Sequence, residues 1–253
     1  MVLGIVPALV GVAVTVALAV GAVVAHALTP PAGAVAAAFG IVIVVLVGFP
    51  FLALLVLFVV ASVLATRFHI QDKQRKNIQE GTAGERGVSN VVAHIVLPTA
   101  LALLGGWPPA VVPMPVLAVL YASALAFGAA DTFASEIGVL AGRARSILTL
   151  RPVPPGTNGG VSGVGEAWAF VGAGITALVG LGLFRAFSAA LPSIAIFLGA
   201  VTAAGFLGCQ VDSILGEVLE NRGYLTKGST NFLGMLSAIG IAAGLLAALG
   251  VRF

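Results

Sequence analysis

Gly128-Ala-Ala-Asp131-Thr-Phe-Ala-Ser135-Glu136 and Gly208-Cys-Gln-Val-Asp212-Ser-Ile-Leu-Gly216-Glu217 decide how this chain is read. Each closes a long apolar run, over residues 111–130 and 190–211, with a glycine, an aspartate and then a glutamate five residues on. A run of about 20 apolar residues crosses a bilayer as a helix. Carboxylates close to lipid are costly to desolvate and are kept where they have a task. Two copies of one acidic pattern therefore predict two membrane helices whose ends meet at a polar site.

The whole chain supports the membrane reading. Its 253 residues are 60% hydrophobic and only 8% charged, against roughly 25% charged in soluble domains. The fold expected is all-α, a polytopic membrane protein of about seven transmembrane helices in a single domain over residues 1–253. Apolar stretches run over approximately 2–28, 35–66, 88–104, 111–130, 162–184, 190–211 and 232–250. The second is long, and Gly48-Phe-Pro50 is expected to kink it; cutting it into two spans would leave each half short. Ala25-His26-Ala27 resembles a signal-peptidase site, but no basic segment precedes it, so the first stretch reads as a helix that stays. The single cysteine, Cys209, excludes an internal disulfide and a cysteine metal cluster and reads as a small apolar helix residue.

Charge placement sets the expected orientation. The connections 67–87, 131–161 and 210–231 hold ten of the 12 Lys and Arg residues and eight of the nine acids. Basic connections stay on the cytoplasmic side, so these three loops, and with seven spans the N-terminus, are expected there. A net charge of +3 gives no reason to invoke nucleic acid. The low cysteine content and lack of targeting residues suit a prokaryotic plasma membrane. Asp131 lies about 24 Å along its helix from Pro115, and Asp212 about 30 Å from Pro192, at 1.5 Å per residue. Both carboxylates thus reach the cytoplasmic interface, whereas the acids of an ion pathway usually sit near the midplane.

Three constellations carry chemistry. On a helix, Asp131 and Glu136, like Asp212 and Glu217, are about 140° apart, so a shared cation would need waters or a facing helix. Two such helices suit Mg²⁺, which binds through few carboxylates, several waters and substrate phosphates. The loop Arg151-Pro-Val-Pro-Pro-Gly156-Thr157-Asn158-Gly159-Gly160-Val-Ser162 precedes a membrane helix. Its glycines expose backbone N–H groups, the helix start favours an anion, and Arg143, Arg145 and Arg151 suit phosphate oxygens. No Lys-Ser/Thr follows the glycines, so it is not a Walker loop. Glu166, one turn into that helix, caps it or completes the metal site. Finally Arg86, Asn90 and His94 fall at i, i+4 and i+8 and would orient a phosphate or a lipid head.

These stretches resemble a known family. Asp131-Thr-Phe-Ala-Ser-Glu136-Ile-Gly, Pro154-Pro-Gly-Thr157-Asn158-Gly-Gly160-Val-Ser162 and Leu207-Gly-Cys-Gln-Val-Asp212-Ser look like the integral-membrane family catalogued as domain of unknown function ninety-two. Asn231-Phe232 and Gly84-Glu-Arg86 with Asn90 fit it as well, and the likeness runs from about residue 67 onward. The family includes a chloroplast phytyl-phosphate kinase. The resemblance implies phosphoryl transfer, from CTP as donor, to an isoprenoid monophosphate such as phytyl or geranylgeranyl phosphate.

A wider likeness joins Asp131-Thr132-Phe133-Ala134 with Gly138, Thr157-Asn158-Gly159 and Asp212-Ser213 to the dolichol kinases and CDP-diacylglycerol synthases. The lysine usual before that threonine is replaced by Gly156. On this resemblance Asp131, Glu136, Asp212 and Glu217 hold the metal, and Asp131, Asp212, Arg86 and His94 are the catalytic set. Arg143, Arg145, Arg151, Gly156, Thr157, Asn158, Gly159, Gly160, Ser162, Asn90 and Asn231 then bind the nucleotide. Partners are the two substrates and membrane lipid, with a homodimer left open. A cytidylyltransferase making a CDP-lipid, using the same parts, and a secondary transporter built from duplicated halves remain as alternatives.

Overall fold

A computed structural model describes residues 4–75 and 84–251; the stretch of the 67–87 loop over 76–83 lies outside the described residues. The chain folds as α1 (Ile5–Val24), α2 (Pro30–Val47), α3 (Phe49–Arg67), the short α4 (Ile70–Arg75), α5 (Val88–Gly106), α6 (Met114–Gly138), α7 (Gly163–Ala186), α8 (Ile194–Leu215) and α9 (Lys227–Ala248). A π-helical turn, Gly216–Glu220, extends α8. Between α6 and α7 lie three short antiparallel strands, β1 (Ala144–Ser146), β2 (Pro152–Val153) and β3 (Gly160–Val161), in the order β2-β1-β3. All helices but α4 are long and apolar enough to cross a membrane, which makes eight candidate spans among the described residues.

The eight spans keep to the expected all-α fold of about seven, and the added one comes from the long second stretch. Gly48 adopts φ +91°, outside the helical region and favoured by glycine, and Pro50 stands at the start of the next helix. The long second stretch therefore breaks rather than kinks. α2 and α3, of 18 and 19 residues, are each long enough because α2 already starts at Pro30, ahead of the expected stretch, and only Gly48 separates the two. The break also reverses the expected place of the N-terminus. Arg67 Nη2 donates to the carbonyls of Ala25 and His26 at 2.8 and 2.7 Å, and Arg86 N donates to Ala27 O at 3.0 Å. The α1–α2 turn thus sits at the charged-loop end. Helix α1 ends there and starts at the opposite end, not on the face of the three charged loops.

α6 is the axis of the bundle. Every residue from Val116 to Ala130 is buried, and α3, α5, α7, α8 and α9 all pack on it. Lipid provides no hydrophobic drive between helices, so close van der Waals packing must hold them. Small residues make it possible. A Cβ on Gly172 would stand 2.8 Å from Ala129 O, and one on Gly205 2.6 Å from Ala126 Cβ. A Cβ on Gly234 would meet the Phe127 ring at 2.7 Å. The one buried tyrosine hydroxyl, Tyr121, is satisfied by donating to Phe51 O at 3.0 Å. Side-chain caps start the later helices: Ser162 accepts from Gly165 N, Ser193 from Ile196 N, and Thr226 with Ser229 forms a capping box.

One buried ion pair fastens the charged end. Lys73 of α4 is fully buried; its Nζ donates to Glu136 Oε2 at 2.6 Å and to the carbonyls of Ala65 and Thr66 at 3.0 Å each. It satisfies two C-terminal carbonyls of α3 while tying that helix to α6. Replacing Lys73→Met is expected to cost about 3–5 kcal/mol, since it strands a buried carboxylate. The double variant Lys73→Met/Glu136→Leu is expected to recover most of that loss. Denaturant unfolding of the purified protein, followed by tryptophan fluorescence, checks both; a single variant as stable as the parent would contradict the role given to this pair.

Candidate functional site

The ends of α6 and α8 and the starts of α7 and α9 enclose a cavity of about 360 Å³ at the charged-loop end. Helix α6 brings Asp131, α7 brings Glu166, α8 and its π turn bring Asp212 and Glu220, and α9 brings Lys227 and Asn231. The strands and their loop close it from above. The helices reach this arrangement because glycines in or beside the acidic motifs stand where they cross. Gly208 lies against Gly234 O and Ala238, where a Cβ would stand 3.1 and 2.7 Å away. A Cβ on Gly138 would stand 2.7 Å from Gly165 Cα. The π turn after Leu215 widens the helix just past Asp212, a distortion frequent at functional sites.

The two acidic motifs do the same thing twice. In each, the aspartate lines the cavity and the glutamate five residues on is tied to another segment. Glu136, although it too borders the cavity, accepts from Lys73. Glu217 accepts from Ser146 Oγ at 2.6 Å and from Leu148 N at 3.4 Å, so it holds the β1 turn. The 140° offset expected between Asp and Glu on a helix is the reason. The four carboxylates consequently do not converge. Among the described residues no three His, Cys, Asp or Glu side chains are grouped to hold a metal ion.

A smaller donor set suits Mg²⁺ better. Asp212 lies within electrostatic reach of Asp131, Glu220 and Lys227. Its Oδ1 is buried and has no hydrogen-bond partner among the described residues. A buried carboxylate oxygen without a donor is costly unless a cation meets it. Mg²⁺ is commonly bound by one or two carboxylates together with waters and substrate phosphates, and Asp131 and Asp212 are the two that could hold one here.

The glycine-rich loop comes down onto the end of α8. Gly156 and Gly159 adopt φ +85° and +76°. A Cβ on Gly159 would stand 2.4 Å from Glu217 Cβ and 2.9 Å from Ser213 O, so that position admits no side chain. Asn221 Nδ2 donates to Asn158 O at 3.1 Å, a second tie. Gly156, Thr157, Asn158, Gly159, Gly160 and Ser162 all line the cavity, as do Arg143 and Asn231. Ser162 Oγ already caps α7 and donates to Gly138 O at 3.4 Å. The starts of α7 and α9 both border the cavity, and helix N-termini favour anions.

Other expected residues fall elsewhere. Arg145 is exposed, its Nη1 donating to Leu150 O at 2.9 Å, and Arg151 is exposed on the loop. Neither lines the cavity. Arg86, Asn90 and His94 lie on α5, as expected for one stripe, but they line a second cavity between α1, α2, α3 and α5. Cys209, read as a plain helix residue, and Lys227, to which no motif gave a role, also line the cavity. Lys227 is the first residue of α9, inside the Thr226–Ser229 capping box, which sets it at the cavity's edge.

Comparison with known proteins agrees with this architecture. The profile of a family described as "Integral membrane protein DUF92" matches residues 13–234. A protein named as an uncharacterized membrane protein in Methanocaldococcus jannaschii is 29% identical over 77% of this chain and 75% of its own length. A Synechocystis protein named in the same way is 31% identical over 76% of this chain and 74% of its own. Protein PGR of Arabidopsis thaliana is 30% identical over 70% of this chain and 67% of its own. No solved structure matches.

Gly159 gives the loop geometry a direct check. Gly159→Val is expected to lift the loop from α8, through both its positive φ and the clash with Glu217. Limited proteolysis in detergent should then cut between residues 148 and 160 at least about tenfold faster than in the parent. An unchanged cleavage rate would show that the loop does not rest on α8.

Proposed function

The chain belongs to the integral membrane protein family DUF92, and we propose that its charged-end cavity transfers a phosphoryl group from a nucleotide, expected to be CTP, to an isoprenoid monophosphate. The observation that carries this reading is the convergence in one cavity of both motif aspartates, the glycine-rich loop and two cationic side chains, Arg143 and Lys227. Phosphoryl transfer needs positioning and charge neutralisation more than covalent help from the protein. Those are the kinds of group gathered here. Mg²⁺, bound by Asp131 and Asp212, would neutralise charge on the nucleotide phosphates.

The remaining roles follow from the chain's own atoms. Backbone N–H groups around Gly156–Gly160, and the starts of α7 and α9, bind phosphate oxygens. Lys227 takes the part of the lysine absent beside Thr157, with Arg143 on the loop side of the cavity. An oxygen of the acceptor phosphate attacks the γ-phosphorus; the bond from that phosphorus to the β–γ bridging oxygen breaks, and the nucleoside diphosphate leaves. The attacking oxygen is already anionic, so no strong general base is required. Glu136 and Glu217 act here as positioning residues, since one fixes α6 to α4 and the other fixes the loop. Arg145 and Arg151 have no part in the reading, and neither do Arg86, Asn90 and His94.

The test uses purified protein, Mg²⁺, geranylgeranyl monophosphate and CTP labelled at either the α- or the γ-phosphate. Lipid label from the γ position alone is the expected result. Label from the α position would make the protein a CDP-lipid synthase. No label, together with nucleotide-independent uptake into proteoliposomes, would make it a transporter. Asp131→Asn and Asp212→Asn are each expected to lower turnover by at least about a hundredfold while leaving the unfolding transition in place. Full activity in the double variant would refute the assignment.

A further inference from the structure

The second cavity shares no lining residue with the first and holds about 440 Å³, within the usual range of about 300–1,000 Å³ for ligand sites. It exists because α1 packs chiefly on α2 and stands off α3 and α5. The slot that remains is bordered by Leu18 of α1 and by Val60 and Leu64 of α3, which are 43, 48 and 65% exposed. These helices are candidate membrane spans, so the mouth opens sideways, at bilayer depth. What reaches such a mouth is an apolar chain.

One end of the slot is polar. Arg86 and His94, 6 and 4% exposed, line it at the charged-loop end together with Asn90. Arg86 Nη1 donates to Asn90 Oδ1 at 2.8 Å and Nη2 to Thr66 Oγ1 at 3.2 Å, which fixes the guanidinium at the cavity wall. The Nδ1 of His94 lies 2.9 Å from Asn90 O, so the imidazole is fixed as well. Ser62 is 1% exposed, lines the same slot, and its Oγ has no hydrogen-bond partner among the described residues. A helix serine in an apolar wall normally bonds back to its own helix; this one remains available to a ligand. From Arg67 at the polar end to Leu52 at the other the lining follows α3 for roughly 22 Å, longer than the ~15 Å of one bilayer leaflet.

We propose that this slot is a separate lipid site for a single-chain amphiphile with a phosphate monoester head. The head lies against Arg86, Asn90 and His94, and the chain runs along α3 toward Leu52. A buried guanidinium suits a phosphate through paired, charge-assisted hydrogen bonds. One narrow slot takes one long chain. The occupant enters from the bilayer, and binding requires neither nucleotide nor the transfer reaction, so the site stands or falls independently of the proposed activity.

The probe is hexadecyl phosphate carrying a diazirine on its chain, photolysed with the purified full-length protein in lipid nanodiscs without nucleotide. Label is expected on peptides of α1, α3 and α5. Geranylgeranyl phosphate is expected to displace it at least about tenfold better than hexadecanol, which lacks the charged head. Ala36→Phe, which fills the slot from α2, and Leu18→Trp, which blocks the exposed mouth without touching the core, are each expected to lower labelling about tenfold. Asp212→Asn is expected to label as the parent does, even where transfer is lost. Equal displacement by hexadecanol would overturn the headgroup assignment. Equal displacement by two-chain phosphatidic acid would overturn the single-chain assignment. Label scattered over all membrane-facing helices, or undiminished in both slot variants, would overturn the site.

Discussion

Backbone-to-backbone contact with α6 is the constraint on which the rest of this structure depends. Within a bilayer, helices are not driven together by water, and their cohesion comes from how closely they touch. Residues 116–130 of α6 are buried without a break, and its neighbours present glycines and alanines where they cross it. Gly172 meets Ala129, Gly205 meets Ala126, and Gly234 meets Phe127. The last of these crossings lies next to the site, since a Cβ on Gly234 would also stand 2.9 Å from Asp212 Cβ. Packing and site are therefore one arrangement: what permits α9 to approach α6 also sets Asn231 and Lys227 opposite the aspartates.

The duplicated acidic motif gains a physical meaning from this geometry. An aspartate and a glutamate five residues apart on one helix point in different directions. The protein uses both directions, one for the cavity and one for an anchor. Glu136 receives a buried lysine from α4, and Glu217 receives the hydroxyl and amide of the β1 turn. Each anchor fastens a segment of the charged end to a helix that carries an aspartate. The loop above the cavity thereby depends on the same π turn that follows Asp212.

The polar groups at the charged end are linked across the two cavities. Thr66 accepts from Lys73 through its carbonyl and from Arg86 through its hydroxyl. The chain of contacts Glu136–Lys73–Thr66–Arg86–Asn90 crosses from the α6 cavity to the slot beside α1. Such a wall separates the polar cavity from the apolar one while keeping their polar ends side by side. The family relation adds support for the membrane architecture, whereas the chemistry rests on the cavity residues themselves.

Much of this was legible in the residues alone. Apolar run lengths determined an all-α membrane protein, and the crowding of charge into three connections determined which end carries the polar groups, because neither depends on how helices pack. The aspartates and the glycine-rich loop were legible as motifs, because each carries its own local chemistry, whereas Asn231 was legible only through the family resemblance. The break at Gly48 was ambiguous, since a glycine followed by Pro50 can bend a helix or end it. Only the fold decided, and with it the end at which α1 begins. Tertiary structure alone also separated the roles of residues that motifs had grouped together. It tied Glu136 and Glu217 to anchors, set Arg86, Asn90 and His94 in a different cavity, and folded Lys227, at the start of the next helix, back to Asp212. Which side chains share a cavity depends on helix rotation and crossing, and these are set by the small residues at each contact rather than by any local pattern.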